Sequence, residues 1–127
     1  MLALQLKLGK AKDADTMVFD EVDTGISGAT AQKIGIALKT LSLKKQILCV
    51  THSAQVSTLA DQHYLVEKRE AEGRTESTVI PLEEEGILLE NARLFAGATL
   101  TKEAKTAAEQ LRREGTLEFE KWKDTVL

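Results

Sequence analysis

The 127-residue sequence predicts an α/β fold with a mainly parallel sheet, flanking helices and a β-hairpin. Two short apolar runs, TMVFD (16–20) and QILCVTH (46–52), are typical of buried strands, and the segment between them has helical periodicity. A short helical segment then precedes a third strand candidate. This alternation of strands and helices indicates parallel strands joined by helical crossovers.

The first elements are two helices on either side of the first strand. Met1, Leu4 and Leu8 recur at helical spacing with no cap before them, so we expect a helix already under way where the sequence starts. Ser27 is suited to the N-cap of the helix that follows strand 16–20. Apolar residues at helical spacing mark one face of that second helix: Ala31, Ile34, Leu38 and Leu41.

A short helix and a hairpin follow the second strand. Ser53 is a candidate N-cap for the helix 53–61. The runs 63–70 and 74–82 flank the tripeptide AEG and predict a β-hairpin. Pro81 cannot donate a ladder hydrogen bond, which places the second hairpin strand at an edge or at a strand end.

Helical patterns fill the remainder of the chain. Residues 90–97 predict a short helix that ends at Gly97, and Thr101 opens another helix. A weaker helical pattern covers 116–127. The helix that starts at Thr101 has one apolar face, formed by Ala104, Ala107, Ala108 and Leu111.

Composition limits the classes of function. Hydrophobic residues make up 43% and charged residues 29% of the chain, as in soluble globular domains. No run approaches the ~18 apolar residues of a membrane span, and no secretory cleavage site follows the start. Cys49 has no second cysteine to pair with, so we expect a cytoplasmic protein without internal disulfides. The net charge of −3 argues against a stand-alone nucleic-acid-binding domain.

Chemically capable side chains follow both predicted parallel strands. Asp20 and Glu21 end the first strand, and Thr51 and His52 end the second, so all four are expected at one sheet edge. Adjacent carboxylates repel, and Mg²⁺, which prefers hard oxygen ligands, would relieve that repulsion. An apolar strand ending in Asp is the Walker-B arrangement of P-loop NTPases. Asp20 would hold Mg²⁺ through water, and Glu21 would polarise an attacking water.

Structural interpretations compete with the functional one. Acidic residues are common where a strand enters solvent, and a lone histidine such as His52 more often makes a structural hydrogen bond. Gly25 and Gly28 could serve only as turn and helix-entry residues. We expect His63 and Cys49 to be structural. The sequence has no zinc-type His/Cys cluster and no nucleophile elbow.

Four segments taken together resemble the C-terminal end of the RecN family of bacterial DNA repair proteins, in the SMC-like branch of the ABC-type ATPases. They are MVFDEVDTGISG, ILCVTHSAQVSTLADQHYLVEK, RTEST and ENARLFAGATLTKEAKTAAEQL, which together span most of the chain. The resemblance implies the C-terminal lobe of an ABC/SMC-type P-loop ATPase head. It also implies ATP and Mg²⁺ as ligands.

The resemblance assigns roles residue by residue. It makes Asp20 the Walker-B aspartate that holds Mg²⁺, Glu21 the catalytic glutamate and His52 the switch histidine that senses the γ-phosphate. Residues 23–27 become the D-loop, where many ABC proteins have aspartate in place of Ser27. The cofactor-binding set is therefore Asp20, Asp23, Gly25 and Ser27.

Two family motifs are missing from the sequence. There is no phosphate-binding G-x-x-x-x-G-K-[ST] motif and no signature serine-glycine-glycine motif, which in the family precedes a helix resembling MLALQLKL. We therefore expect residues 1–127 to be a fragment, about half of an ATPase head, and inactive in isolation. The N-terminal lobe, the signature loop and the coiled-coil arms would lie upstream.

For the full-length protein, the resemblance implies an ATP-hydrolysing DNA repair and recombination protein that acts at double-strand breaks. Two identical heads would sandwich ATP, and the arms would engage DNA. No membrane partner is expected, and the protein would be cytoplasmic and associated with the nucleoid. Two alternatives remain: the head lobe of another SMC or mismatch-repair ABC-type ATPase, and a non-catalytic interaction module, which the missing Walker A motif favours for the fragment.

Overall fold

The computed structural model describes residues 15–21, 25–97 and 100–126, so the helix expected at the start lies outside the described residues. The predicted α/β fold class is confirmed, with one parallel sheet and one antiparallel hairpin. The elements in chain order are β1 (Thr16–Asp20), α1 (Gly28–Ser42), β2 (Gln46–Val50), α2 (Ala54–Ser57), β3 (His63–Ala71), β4 (Arg74–Leu82), α3 (Glu84–Ala96) and α4 (Lys102–Val126).

Strands β1 and β2 form a two-stranded parallel sheet that is in register from Thr16 opposite Gln46 to Asp20 opposite Val50. Helix α1 connects the two strands and packs its apolar face against one side of the sheet, as predicted. The main core consists of Phe19, Ala31, Ile34, Leu38, Leu41 and Val56, with Met17, Ile47 and Cys49 packed against it. Both strands therefore end at the same edge, directly above this core.

The opposite face of the parallel sheet is exposed among the described residues. Successive strand residues point to opposite faces, so Val18, Leu48 and Val50 lie on the side away from α1. Their exposures are 67%, 48% and 52%. Parallel sheets normally bury both faces, and an apolar face this open is suited to contact with a further layer of protein.

Strands β3 and β4 form a separate antiparallel hairpin, paired from His63 opposite Leu82 to Ala71 opposite Arg74. In the described part of the chain β3 does not extend the parallel sheet, although the alternation of elements suggested a third parallel strand. The turn residues Glu72 and Gly73 both have left-handed φ angles, 51° and 73°, as the type I′ turn requires. This two-residue turn brings the strands together at little entropic cost, so local pairing prevails.

Helices α3 and α4 differ in extent from the sequence prediction. Helix α3 starts at Glu84, six residues before the predicted position, and ends at Gly97 as expected. Helix α4 is continuous where two separate helices were predicted, and it passes through Gly115. A Cβ at position 115 would lie 2.9 Å from Cδ2 of Leu59, so the glycine lets α4 approach Leu59, which follows α2, closely. None of the described helices combines the length and apolar character of a membrane span.

His63 has the structural role that the sequence suggested. Its Nε2 donates a hydrogen bond to the Ser57 carbonyl at 2.6 Å, and the described residues give its buried Nδ1 no hydrogen-bond partner. Burial lowers the pKa of His63, and the positive charge of Arg112 acts in the same direction. The bond to Ser57 and the charge of Asp61 oppose that shift. A neutral ring that donates from Nε2 serves the Ser57 carbonyl without placing a charge in this half-buried site.

Candidate functional site

The ends of β1 and β2 bring a carboxylate and an imidazole together. Oε1 of Glu21 lies 3.7 Å from Nδ1 of His52. The backbone N–H of Glu21 donates to the Val50 carbonyl at 2.8 Å, which extends the β1–β2 ladder by one bond beyond Asp20. The two side chains are 57% and 66% exposed, so both are open to water and to a ligand. The predicted meeting of Glu21 and His52 at one sheet edge is therefore observed.

Glu21 has an unusual backbone conformation. Its φ of 49° lies in the left-handed region, which costs a non-glycine residue roughly 1–2 kcal/mol. Its N–H nevertheless donates to the Val50 carbonyl, so Glu21 stays attached to the end of the parallel ladder. Backbone strain of this kind is concentrated at functional sites, although the sequence pattern alone does not reveal it.

His52 lies at the centre of a short hydrogen-bonded turn. The backbone N–H of Ser53 donates to Oγ1 of Thr51 at 3.0 Å, which closes the turn around His52. Ser53 also occupies the N-cap of α2, as predicted, but its hydroxyl makes no bond to the helix backbone. Instead that hydroxyl donates to Oε1 of Gln55 at 2.9 Å. The turn is therefore fixed by side chains on both sides of His52.

The segment before α1 contains the other predicted ligand-binding residues. Gly25 has a φ of 77°, a conformation that glycine adopts without strain. Ser27 is the N-cap of α1, and its Oγ accepts a weak bond from the Thr30 N–H at 3.4 Å. Asp23 lies outside the described residues. Ser27 therefore has the capping role that the sequence predicted, and its role toward a nucleotide stays a prediction.

Gln55 is a contact residue that sequence reasoning did not identify. Its side chain extends from α2 to the first residue of α1, where a Cβ on Gly28 would lie 2.9 Å from its Nε2. From the sequence, Gly28 is interpreted as a helix-entry residue. A glycine at the start of a helix was the one feature of the sequence that could have indicated the approach of the Gln55 side chain. The starts of α1 and α2 thus approach each other through Gly28 and Gln55, in addition to the approach of Glu21 and His52 at the strand ends.

The acidic residues suit Mg²⁺ bound together with a ligand better than a closed metal site. Asp20 is exposed at the end of β1 and directly precedes Glu21 in the sequence. The described residues form no group of three or more His, Cys, Asp or Glu side chains that could hold a metal ion. Mg²⁺ commonly binds one or two carboxylates and completes its shell with waters and phosphate oxygens. Asp20 fits that arrangement.

Comparison with solved structures defines the class of fold. A chain from work on ATP-driven dimerization and DNA-stimulated activation of SMC ATPases superposes with a TM-score of 0.56 at 24% identity. The match covers 67% of this chain and 50% of that chain. The fold is therefore that of part of an SMC ATPase. No protein-family model matches the sequence.

The sequence matches the C-terminal part of the DNA repair protein RecN. It is 38% identical to RecN of Bacillus subtilis over 111 residues, 44% identical to RecN of Xylella fastidiosa (strain Temecula1) over 99 residues, and 37% identical to RecN of Vibrio cholerae over 110 residues. These matches cover 87%, 78% and 87% of this chain but only 19%, 18% and 20% of the relatives. The resemblance to the RecN family is confirmed, and the chain spans about a fifth of the RecN length.

Proposed function

We propose that residues 1–127 form the C-terminal lobe of the ATPase head of a RecN-type DNA repair protein, which binds and hydrolyses ATP as a full-length chain. The observation that carries this proposal is the 3.7 Å approach of Glu21 to His52 at the shared edge of β1 and β2. The similarity to RecN supports the DNA repair context. The phosphate-binding loop would come from the rest of the full-length protein, so the isolated lobe would be inactive.

Each side chain at the edge has a chemical task in this proposal. Glu21 orients the attacking water and accepts its proton on a carboxylate oxygen. His52 keeps Nδ1 toward Glu21, which leaves Nε2 for a γ-phosphoryl oxygen. Asp20 would hold Mg²⁺ through water, and the ion would neutralise charge on the phosphates. The exposure of Glu21 and His52 supports these roles, because both groups must reach a ligand that enters from solvent.

A second head would complete the site. Asp23, Gly25 and Ser27 would face the partner head and the nucleotide in a homodimer that sandwiches ATP. The SMC ATPase with the same fold comes from work on ATP-driven dimerization and stimulation by DNA, which supports ATP, a second head and DNA as partners. DNA at double-strand breaks would be engaged through coiled-coil arms of the full-length chain, and the protein would act at the nucleoid in the cytoplasm.

The exposed sheet face supports a partner layer from the same protein. Val18, Leu48 and Val50 leave one side of the parallel sheet open, and about four-fifths of the RecN length lies outside this chain. We assign this face to packing against the N-terminal lobe of the head. The same exposed face also favours the second candidate function, a non-catalytic interaction module. If that candidate is correct, changes at Glu21 should cause no loss of ATP hydrolysis.

The test compares two glutamates with similar backbone conformations in the full-length protein. Glu21→Gln keeps the size of the side chain and removes the proton acceptor, so hydrolysis should fall by roughly 10²–10⁴ while ATP affinity is retained. Glu72→Gln is the matched control, because Glu72 is also exposed and has a φ of 51° but lies in the hairpin turn. A Glu21→Gln protein with a near wild-type rate of hydrolysis would contradict the proposal.

A further inference from the structure

Gln55 joins the turn that bears His52 to the first residue of helix α1. Its Oε1 accepts a hydrogen bond of 2.9 Å from the Ser53 hydroxyl, on the turn that bears His52. The other end of the same amide, Nε2, lies against Gly28, where a Cβ would come within 2.9 Å of it. A single half-buried side chain therefore contacts both the loop after β2 and the start of α1, the helix that follows the loop of Glu21.

At Gly28 an added side chain would meet the Gln55 amide, which would have to shift, whereas the backbone conformation does not call for glycine. Gly28 does not have a left-handed φ, whereas Gly25 and Gly73 do. It is also the first residue of α1, where alanine would have the higher helix propensity. Apart from its chain neighbours and its own helix, a methyl group at position 28 would meet, among the described residues, only the Gln55 side chain within 4 Å. The absence of a side chain at Gly28 therefore leaves room for the Gln55 amide.

We propose that Gln55 is a positioning residue that keeps His52 beside Glu21 by holding the Ser53 hydroxyl at one end and packing on Gly28 at the other. This proposal rests on the proposed ATPase function. It adds that the position of the first turn of α1 is coupled to the position of His52. A displacement of α1's first turn would move the Gln55 amide, and through Ser53 it would move the turn closed by Thr51 and Ser53. The position of His52 would thus depend on the segment that leads into α1.

The experiment is a double-mutant cycle in the full-length protein, with kcat, the KM for ATP and thermal stability measured for each variant. Gly28→Ala should displace the amide and lower kcat about tenfold or more, because small misplacements of reacting groups are costly, while KM changes by less than about twofold. Gln55→Ala should lower kcat similarly. The double variant should be no slower than Gln55→Ala alone. With alanine at position 55 there is no amide left for the methyl group at position 28 to displace.

Two further variants separate positioning from general stability. Gln55→Glu keeps the side-chain length and the acceptor for Ser53, so it should restore most of the kcat that Gln55→Ala loses. Gln110→Ala is the control: its amide donates to Glu114 on the exposed face of α4, and kcat should stay at the wild-type value. Because alanine favours the helix, Gly28→Ala should fold with at least wild-type thermal stability.

Clear results would overturn the inference. Wild-type kcat for Gly28→Ala, or additive losses in the double variant, would show that Gln55 does not position His52. Loss of kcat in strict proportion to loss of thermal stability would assign Gln55 a purely structural role. If Glu21→Gln is inactive in the same assay and Gly28→Ala is fully active, only this inference fails. If Glu21→Gln hydrolyses ATP normally, the proposed function fails, and the inference fails with it.

Discussion

The Glu21 carboxylate lies 3.7 Å from the His52 imidazole, although the two residues follow different strands separated by helix α1. The parallel register of β1 and β2 produces this proximity, because Asp20 is opposite Val50 and both strands end at that level. The side chains that follow are then held on a rigid edge above the core formed by α1. In the proposed function, this arrangement would orient a water and a phosphoryl group.

His52→Ala in the full-length protein should lower kcat more than it changes the affinity for ATP. In the proposed site the imidazole would contact phosphoryl oxygens whose charge is redistributed in the transition state, so its loss should affect the chemical step. Steady-state kinetics combined with equilibrium ATP binding would measure both quantities. Normal kcat with weaker ATP binding would instead make His52 a ground-state ligand.

Asp20→Asn should differ from Glu21→Gln, although the two residues are adjacent. Removing the Asp20 charge should weaken binding of Mg-ATP itself and give no long-lived head dimer. Glu21→Gln should retain ATP, and because hydrolysis is blocked, the dimer of heads should persist. Measurements of ATP affinity and dimer lifetime would distinguish the variants. Equal effects of both substitutions on ATP affinity would indicate a shared metal-holding role.

Gly115→Val should destabilise the chain by about 1–3 kcal/mol, the usual cost of overpacking a core. A Cβ at this position would lie 2.9 Å from Cδ2 of buried Leu59, which also packs with Ile36 and Phe119. Arg113→Val on the exposed face of the same helix is the control and should change the free energy of unfolding much less. Urea denaturation would measure both variants, and equal stabilities would refute the close-packing explanation.

His63 should make the stability of the chain depend on pH. Its pKa is lowered from the ordinary value of 6.5, chiefly by burial. At pH values between this lowered pKa and 6.5, the unfolded chain therefore binds more protons than the folded chain. The contribution is fully present above about pH 6.5 and is lost as the pH falls toward the lowered pKa. His63→Gln should therefore lose less stability than the wild type between about pH 7.5 and about pH 5.

Urea titrations of the wild type and His63→Gln across this pH range provide the measurement. Glutamine can still donate a hydrogen bond to the Ser57 carbonyl, so the comparison isolates the titration of the ring from the loss of that bond. Parallel stability curves for the two proteins would exclude His63 as the source of the pH dependence.

Local chemistry made several elements of this protein predictable from sequence. The apolar run 16–20 gave a strand with the expected bounds, and Ser27 caps α1 with its own hydroxyl. The hairpin was predicted from two strand-forming runs on either side of AEG, although Ala71 of that tripeptide pairs with Arg74 and leaves a two-residue turn. The meeting of Glu21 and His52 could be anticipated as well, because parallel strands that pair in register end at one edge.

Packing between distant segments decided the features that the sequence left open. Whether Gly115 would end a helix could not be judged from its neighbours, because the answer depends on Leu59, which needs the space that the glycine leaves. The contact of Gln55 with Gly28 and the bond from the Glu21 N–H to the Val50 carbonyl likewise join segments that are distant in the sequence. Sequence alone determined the elements governed by short-range periodicity, capping and turn chemistry. Tertiary structure decided the close approaches, because their free energy depends on atoms that are far apart along the chain.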